Sequence, residues 1–361
     1  MAITRIGNPA IADQRGVNFR NIIINGGMDV AQRGTSFTGI TATQYTLDRQ
    51  RAGIQSAGTW TISQSTDVPS GQGFASSLKW DCTTADASLG ASDVVFNEQR
   101  IEGQNLQYLK KGTANAESLT VSFWVKSNKT GTYIFQLNDT DNDRSISKSY
   151  TINSASTWEK KTITYPGDTT GAFDNDNLQS LRARHWLAAG SDHTSGTLAT
   201  SWESRVIANE AVGQVNLADS TSNEWYITGV QLEAGQVASD FEFLPVDVNL
   251  NRCLRYFELL AQGDGIAFGN TTYYSASSIY SSQKTTVPMR STPSLDYVSG
   301  SSYYRALRNA NNDYFSDMSI GNASNKTFEI KSTSGIGGTA GHSAFLRTAN
   351  ASAFVALSSE L

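Results

Sequence analysis

Ser118-Leu-Thr-Val-Ser-Phe-Trp-Val-Lys126 decides the fold class. Leu119, Val121, Phe123 and Val125 fall on one side of an extended chain, while Ser118, Thr120 and Ser122 fall on the other. That two-residue period belongs to a β-strand with one dry and one wet face. Trp124 breaks the pattern by standing on the polar side. A flat aromatic there is either a stacking platform for a sugar or a side chain covered by a neighbouring loop or subunit, and the strand pattern leaves both readings open.

Outward from this run, further β-rich segments recur between polar turn clusters: 21–24, 59–63, 75–80, 131–137, 147–152, 159–165, 179–188 and 224–231. Many short strands at this spacing predict an all-β chain whose main domain, 21–245, is a jelly roll or β-sandwich. Asn25-Gly26-Gly27 reads as a turn that glycine makes without strain. Near Pro245 the period changes. Asp247 can cap a helix in which Leu250, Leu254, Phe257 and Leu260 share a face and Gly263 is the stop, so a linker helix is predicted over 246–263. Runs at 272–280, 285–289, 302–307, 327–332 and 353–357 predict a smaller C-terminal β domain, 264–361. A small aromatic-rich β unit gains most by burying a face against its own copies, so a homo-oligomer is expected, with a trimer as the assumed number.

Composition narrows the function. The 28 basic and 33 acidic residues give a net charge of −5, which lacks the field that drives binding to a phosphate backbone, so nucleic acid is not an expected partner. No apolar stretch approaches the roughly 20 residues needed to cross a bilayer, and Met1 to Gly16 has no apolar core of a secretion signal; no membrane insertion is expected. Cys82 and Cys253 lie far apart and read as buried thiols. Residues 1–20 lack any sustained period and read as an extended docking arm, with Ile3, Ile6, Pro9 and Ile11 as the contacts that would grip other proteins of the assembly.

Catalytic chemistry finds little support. The three histidines, His185, His193 and His342, accompany no Gly-x-Ser-x-Gly elbow and no His-Glu-x-x-His helix, so no catalytic residue is assigned and the chain is expected to be non-enzymatic. His185, next to Trp186, reads as a structural histidine beside a core Trp. Polysaccharide cleavage needs only two suitably spaced carboxylates, which keeps a depolymerase as a minor alternative. Asp139-Thr-Asp-Asn-Asp143 alternates hard oxygen ligands as a Ca2+ loop does, although Arg144 replaces the turn glycine and Tyr150 the bidentate Glu. Asp139, Asp141 and Asp143 are therefore the metal candidates, and no other cofactor is expected. Arg33 and Arg49 are expected to pair with Asp29, Asp48 or Glu233. Trp60, Trp124 and Trp202 are the candidates for stacking on a glycan.

Several segments carry a family resemblance: Asn21 to Gly34 (NIIINGGMDVAQRG), Tyr45-Thr-Leu-Asp-Arg49, Ser118 to Asn128, Gly229 to Gly235 (GVQLEAG) and Asn251-Arg-Cys-Leu-Arg-Tyr-Phe257. Together they resemble virion fibre and structural proteins of tailed, especially marine, bacteriophages, whose main domain is like the jelly roll of a carbohydrate-binding module. Gln50 departs from that pattern, standing where such proteins commonly place Trp. The resemblance implies a virion protein of the tail-fibre or receptor-recognition type that displays β-domains and binds a host surface glycan. A capsid-decorating or head-fibre protein is the alternative.

Overall fold

The computed structural model describes residues 19–309 and 312–361. The arm contacts Ile3, Ile6, Pro9 and Ile11 lie outside these described residues. The chain is all-β. In order the first strands are β1 (Ser36–Ile40), β2 (Gln44–Tyr45), β3 (Arg51–Gln55), β4 (Thr59–Ser65), β5 (Ser77–Thr84) and β6 (Val94–Glu102). Then come β7 (Leu119–Ser127), β8 (Gly131–Asp139), β9 (Arg144–Ile152), β10 (Glu159–Tyr165), β11 (Gln179–Ala189), β12 (Glu203–Ser204) and β13 (Glu224–Ala234). A helix, α1 (Val246–Leu254), precedes β14 (Phe257–Gln262), β15 (Ala267–Ser275), β16 (Ser278–Lys284) and β17 (Ser294–Tyr297). The last strands are β18 (Tyr304–Leu307), β19 (Asp313–Phe315), β20 (Ser319–Ile320), β21 (Thr327–Ser332), β22 (Ser343–Thr348) and β23 (Phe354–Ser358).

Contacts divide the described chain into two units. The first holds 19–27, Thr38–Thr43 and Gly53–Leu244; the second holds Met28–Phe37, Gln44–Ala52 and Pro245–Leu361. Residues 28–37 and 44–52, expected in the main domain, thus belong with the C-terminal residues. Arg33 Nη2 lies 3.1 Å from Glu360 Oε1, and Arg49 Nη1 pairs with Glu360 Oε2. Each guanidinium also stacks on a ring, Arg33 3.6 Å from the Phe257 centroid and Arg49 3.6 Å from that of Tyr256. These pairings with Glu360 replace the expected anchor Glu233, which instead binds Ser239 and faces Arg20.

The first unit is a jelly-roll β-sandwich. One sheet runs β1-β4-β5-β13-β7-β10 and the other β12-β9-β8-β11-β6-β3, so the chain crosses repeatedly between layers, with β4-β5 and β8-β9 as hairpins within a layer. The dry face of β7 closes the core: Phe123 lies 6.2 Å from Phe135 of β8, 5.0 Å from Tyr150 of β9 and 4.8 Å from His185 of β11. Interdigitated aromatic rings between two layers are what holds such a sandwich shut. His185 is a core histidine as expected, but its Trp neighbour is Trp225, at 5.6 Å, whereas Trp186 faces the other way and packs on Phe96.

Two local readings are corrected. Residues 21–24 form no regular strand; Asn21 Oδ1 accepts from the Ile23 and Leu232 amides, and Ile24 N donates to Gln99 Oε1. Gly26 is required by close approach: an added Cβ would sit 2.0 Å from the Val230 carbonyl oxygen, while the left-handed residue of the turn is Asn25, at φ 58°.

In the second unit, β14-β23-β17 form one sheet and β19-β18-β22-β15-β16-β21-β20 another. Phe268, Tyr273, Ile279, Tyr304, Phe315, Phe328 and Leu346 fill its core. The predicted helix ends nine residues early, at Leu254 rather than Gly263, because Phe257–Gln262 pairs with Phe354–Ser358 as β14. Burying Phe257 in a sheet outweighs its place in a helical stripe. Pro245, not Asp247, holds the N-cap position.

Candidate functional site

The sandwich has two outer sheet faces, and later segments of the chain pack on both. Over the β8-β11-β6 face lies the segment 190–217: Ala211 packs with Phe96 and Trp186, Gln214 Oε1 accepts from Ile134 N, and Ser147 N donates to Ala199 O. Charges caught beneath it are paired. Glu98 bonds Arg184 through Oε2 at 2.8 Å and Arg100 through Oε1 at 3.0 Å. Glu210 holds His193 Nδ1 at 2.9 Å and Arg205 Nε at 2.6 Å. Burial pushes the Glu210 carboxyl up, but the His193 bond, the Arg184 charge and the Arg205 bond outweigh it and hold the group at about 2. Both carboxylates are thus engaged in ion pairs.

The opposite face, on β10-β7-β13, carries Trp124. Alternation aims Phe123 and Val125 into the core and Trp124 outward, where it is half-buried. Its register partners are Lys160 on β10 and Thr228 on β13. One row along, Ser122 stands between Thr162 and Gln231. On the other side Lys126 faces Tyr226, its Nζ 4.2 Å from the Tyr226 centroid and 5.5 Å from that of Trp158. Asp67 accepts from Lys126 Nζ and, at 2.9 Å, from Trp158 Nε1. Burial raises the Asp67 carboxyl, yet these two donors hold it below the usual carboxylate range. Beyond Thr228, Phe74, Phe241 and Phe243 form a knot with centroids 4.9–5.1 Å apart, and Phe74 closes on Gly229, where a Cβ would lie 2.5 Å from its ring. The result is one half-buried indole beside the exposed Lys160 and Thr162, on a face whose Ser122, Thr228 and Gln231 are buried, with aromatic side chains on either side. Such a surface can stack on a sugar ring and hydrogen-bond its hydroxyls.

The other stacking candidates do not join it. Trp60 is fully buried in the core, edge-on to Trp80 at 5.6 Å, with Nε1 donating to Ala57 O. Trp202 is half-buried, its Nε1 bound to Pro166 O and its ring 5.7 Å from Lys111 Nζ. Trp158 and Tyr226 are the neighbours of Trp124 that sequence reasoning missed. Tyr226 was signalled by alternation along β13, since Trp225 and Ile227 point inward on either side of it.

The Asp139 loop does not converge on a metal: among the described residues no group of three His, Cys, Asp or Glu is arranged to hold one. Its cation is Lys111. The ammonium lies 2.5 Å from Asp139 Oδ2, 3.1 Å from Asp168 Oδ2, and donates to the carbonyls of Thr170 and Gly171 at 2.8 and 2.7 Å. Asp141 instead caps the Asp174 amide at 2.9 Å, and Asp143 takes a left-handed turn conformation at φ 47°. A buried lysine thus fills the oxygen cage that the sequence suggests for Ca2+.

No family model matches the chain, and no curated protein matches it. Among solved structures, it is similar to the enzymatically active domain of bacteriophage CBA120 tailspike protein 4, with 13% identity, 60% of this chain covered and a TM-score of 0.30. The match spans 21% of the tailspike chain, about a fifth of its length. A family 11 carbohydrate-binding module from Clostridium thermocellum, in complex with a β-1,3-1,4-mixed-linked tetrasaccharide, gives 11% identity and a TM-score of 0.28 over 57% of this chain and 99% of its own. A family 29 carbohydrate-binding module gives 9% identity and 0.26 over 59% and 97%. No residue role passes from them to this chain.

Proposed function

We propose that this chain is a non-enzymatic binding protein of a tailed-phage virion, of the tail-fibre or receptor-recognition type, and that its β-sandwich holds a surface glycan on the β10-β7-β13 face. The observation that carries the glycan reading is Trp124, a half-buried outward indole beside the exposed Lys160 and Thr162 of β10. Pairing of Glu210 with His193 and Arg205 beneath the 190–217 segment supports a binding rather than a hydrolytic role, because that carboxyl, held at about 2, has no proton to give near neutrality.

A glycan array of host surface polysaccharides, probed with the full-length protein and with Trp124→Ala, tests the binding site. Capture of a glycan by the native chain and its loss in the variant would support it; no capture of any glycan, or capture indifferent to Trp124, would sink it. Immunogold labelling of intact virions tests the location: gold at the tail supports receptor recognition, gold over the head would make the chain a decoration protein, and no gold would end the virion reading.

A further inference from the structure

The seven-stranded sheet of the second unit presents a face unlike the rest of this acidic chain. Arg305 of β18 and Arg347 of β22 are direct cross-strand partners. Adjacent strands lie roughly 5 Å apart, so two guanidinium groups share one patch, an arrangement that costs stability unless something negative lies between them. Nothing among the described residues does so: the Nε of each is shielded from water without a hydrogen-bond partner, and no carboxylate there pairs with either. Tyr314 stands opposite Arg305 on the next strand, and Phe345 faces Leu307 one row away. Both rings are exposed, at 44% and 53%. Across β15 the same face continues with Tyr274, which is 76% exposed and 5.1 Å from the Tyr280 ring, and with Lys331 opposite Tyr280. The acid of this face, Glu329, is tied to Asn322.

The geometry points to a binding site for an acidic polysaccharide on this face, with a sugar carboxylate held between Arg305 and Arg347 and adjoining sugar rings laid on Phe345 and Tyr314. Guanidinium forks match a planar carboxylate in two-bond geometry, and a half-desolvated pair binds it more strongly than free lysines would. A second copy of the chain is disfavoured as occupant, since it would bring the same two cations to the interface. The inference extends the receptor-binding reading to a site of different chemistry and does not depend on Trp124.

Binding of full-length protein to polygalacturonate, a polymer of carboxylated sugars, is the test, with neutral dextran and a single-stranded oligonucleotide as comparators. Arg305→Glu creates a cross-strand ion pair with Arg347, so it should fold with an equal or higher melting temperature while losing about tenfold or more in affinity. Arg347→Gln should lose a similar factor, and Trp124→Ala should leave polygalacturonate binding unchanged. That pattern would establish the site. Failure of the native chain to bind polygalacturonate, binding indifferent to Arg305→Glu, equal retention of the oligonucleotide, or self-association abolished by Arg305→Glu would each overturn it. Loss in Trp124→Ala alone would instead assign the acidic glycan to the sandwich.

Discussion

Arg49 and Glu360, 311 positions apart in sequence, form a buried ion pair in which the Arg49 ring-facing side lies 3.6 Å from Tyr256. Burial works against the Arg49 charge, but Glu360 more than restores it and raises the guanidinium above its ordinary value. Arg33 shares the same carboxylate. Glu360→Ala would remove the carboxylate that both guanidinium groups bond, one of them fully buried, and should cost about 3–5 kcal/mol. Urea unfolding followed by the second unit's tyrosine fluorescence checks this; a loss below 1 kcal/mol would mean the pair behaves as a surface one.

Lys111→Met should be comparably damaging, by about 3–5 kcal/mol, because Asp139 would be left buried beside Asp168 without its ammonium. Calcium should not shift the melting temperature of the native protein, since a ligand stabilises only in proportion to its binding of the folded state. A melting temperature that climbs with added calcium would restore a metal to this loop.

Trp60→Ala and Trp124→Ala should separate cleanly. The first empties a core site and should cost about 3–5 kcal/mol; the second removes an outward ring and should cost about 1 kcal/mol or less. Chemical denaturation of the two variants side by side is the check, and equal losses would place Trp124 in a packed environment.

Acid should weaken the fold in two stages. Burial among Phe123, Phe135 and Trp225 lowers His185 to about 3, against an ordinary value of 6.5. Between those values the unfolded chain takes up a proton that the folded one refuses, so stability falls as pH drops from 6.5 toward 3. Glu210, held at about 2 against 4.5, adds its own loss as pH drops below 4.5. His185→Phe should flatten the upper part of a melting temperature against pH curve and leave the lower part; an unchanged upper slope would mean another group controls it.

Period-two alternation made the sandwich legible, and it could have gone further: in Thr59-Trp-Thr-Ile-Ser63, Trp60 shares the inward side with Ile62, so its burial was readable and only its aromatic character suggested otherwise. What alternation cannot show is where later segments will pack, and so the cover of 190–217 over β8-β11-β6, and of Ser239 and Asp240 over Gln231, appears only in the structure. Lys111 was illegible as the partner of Asp139 because it comes from the loop before β7 while Asp139 stands at the end of β8. Phe257 satisfied a helical stripe and a strand equally well, and the distant Phe354–Ser358 decided between them.

Because Arg33 and Arg49 complete a unit whose remaining residues begin at Pro245, the C-terminal part of this chain is not an interchangeable cassette. A single genetic crossover near residue 245 would deliver a new C-terminal part to arginines matched to the old one. Diversification of this unit must therefore proceed by substitution on its exposed sheet face, or by recombination events that carry an early and a late stretch of the gene together.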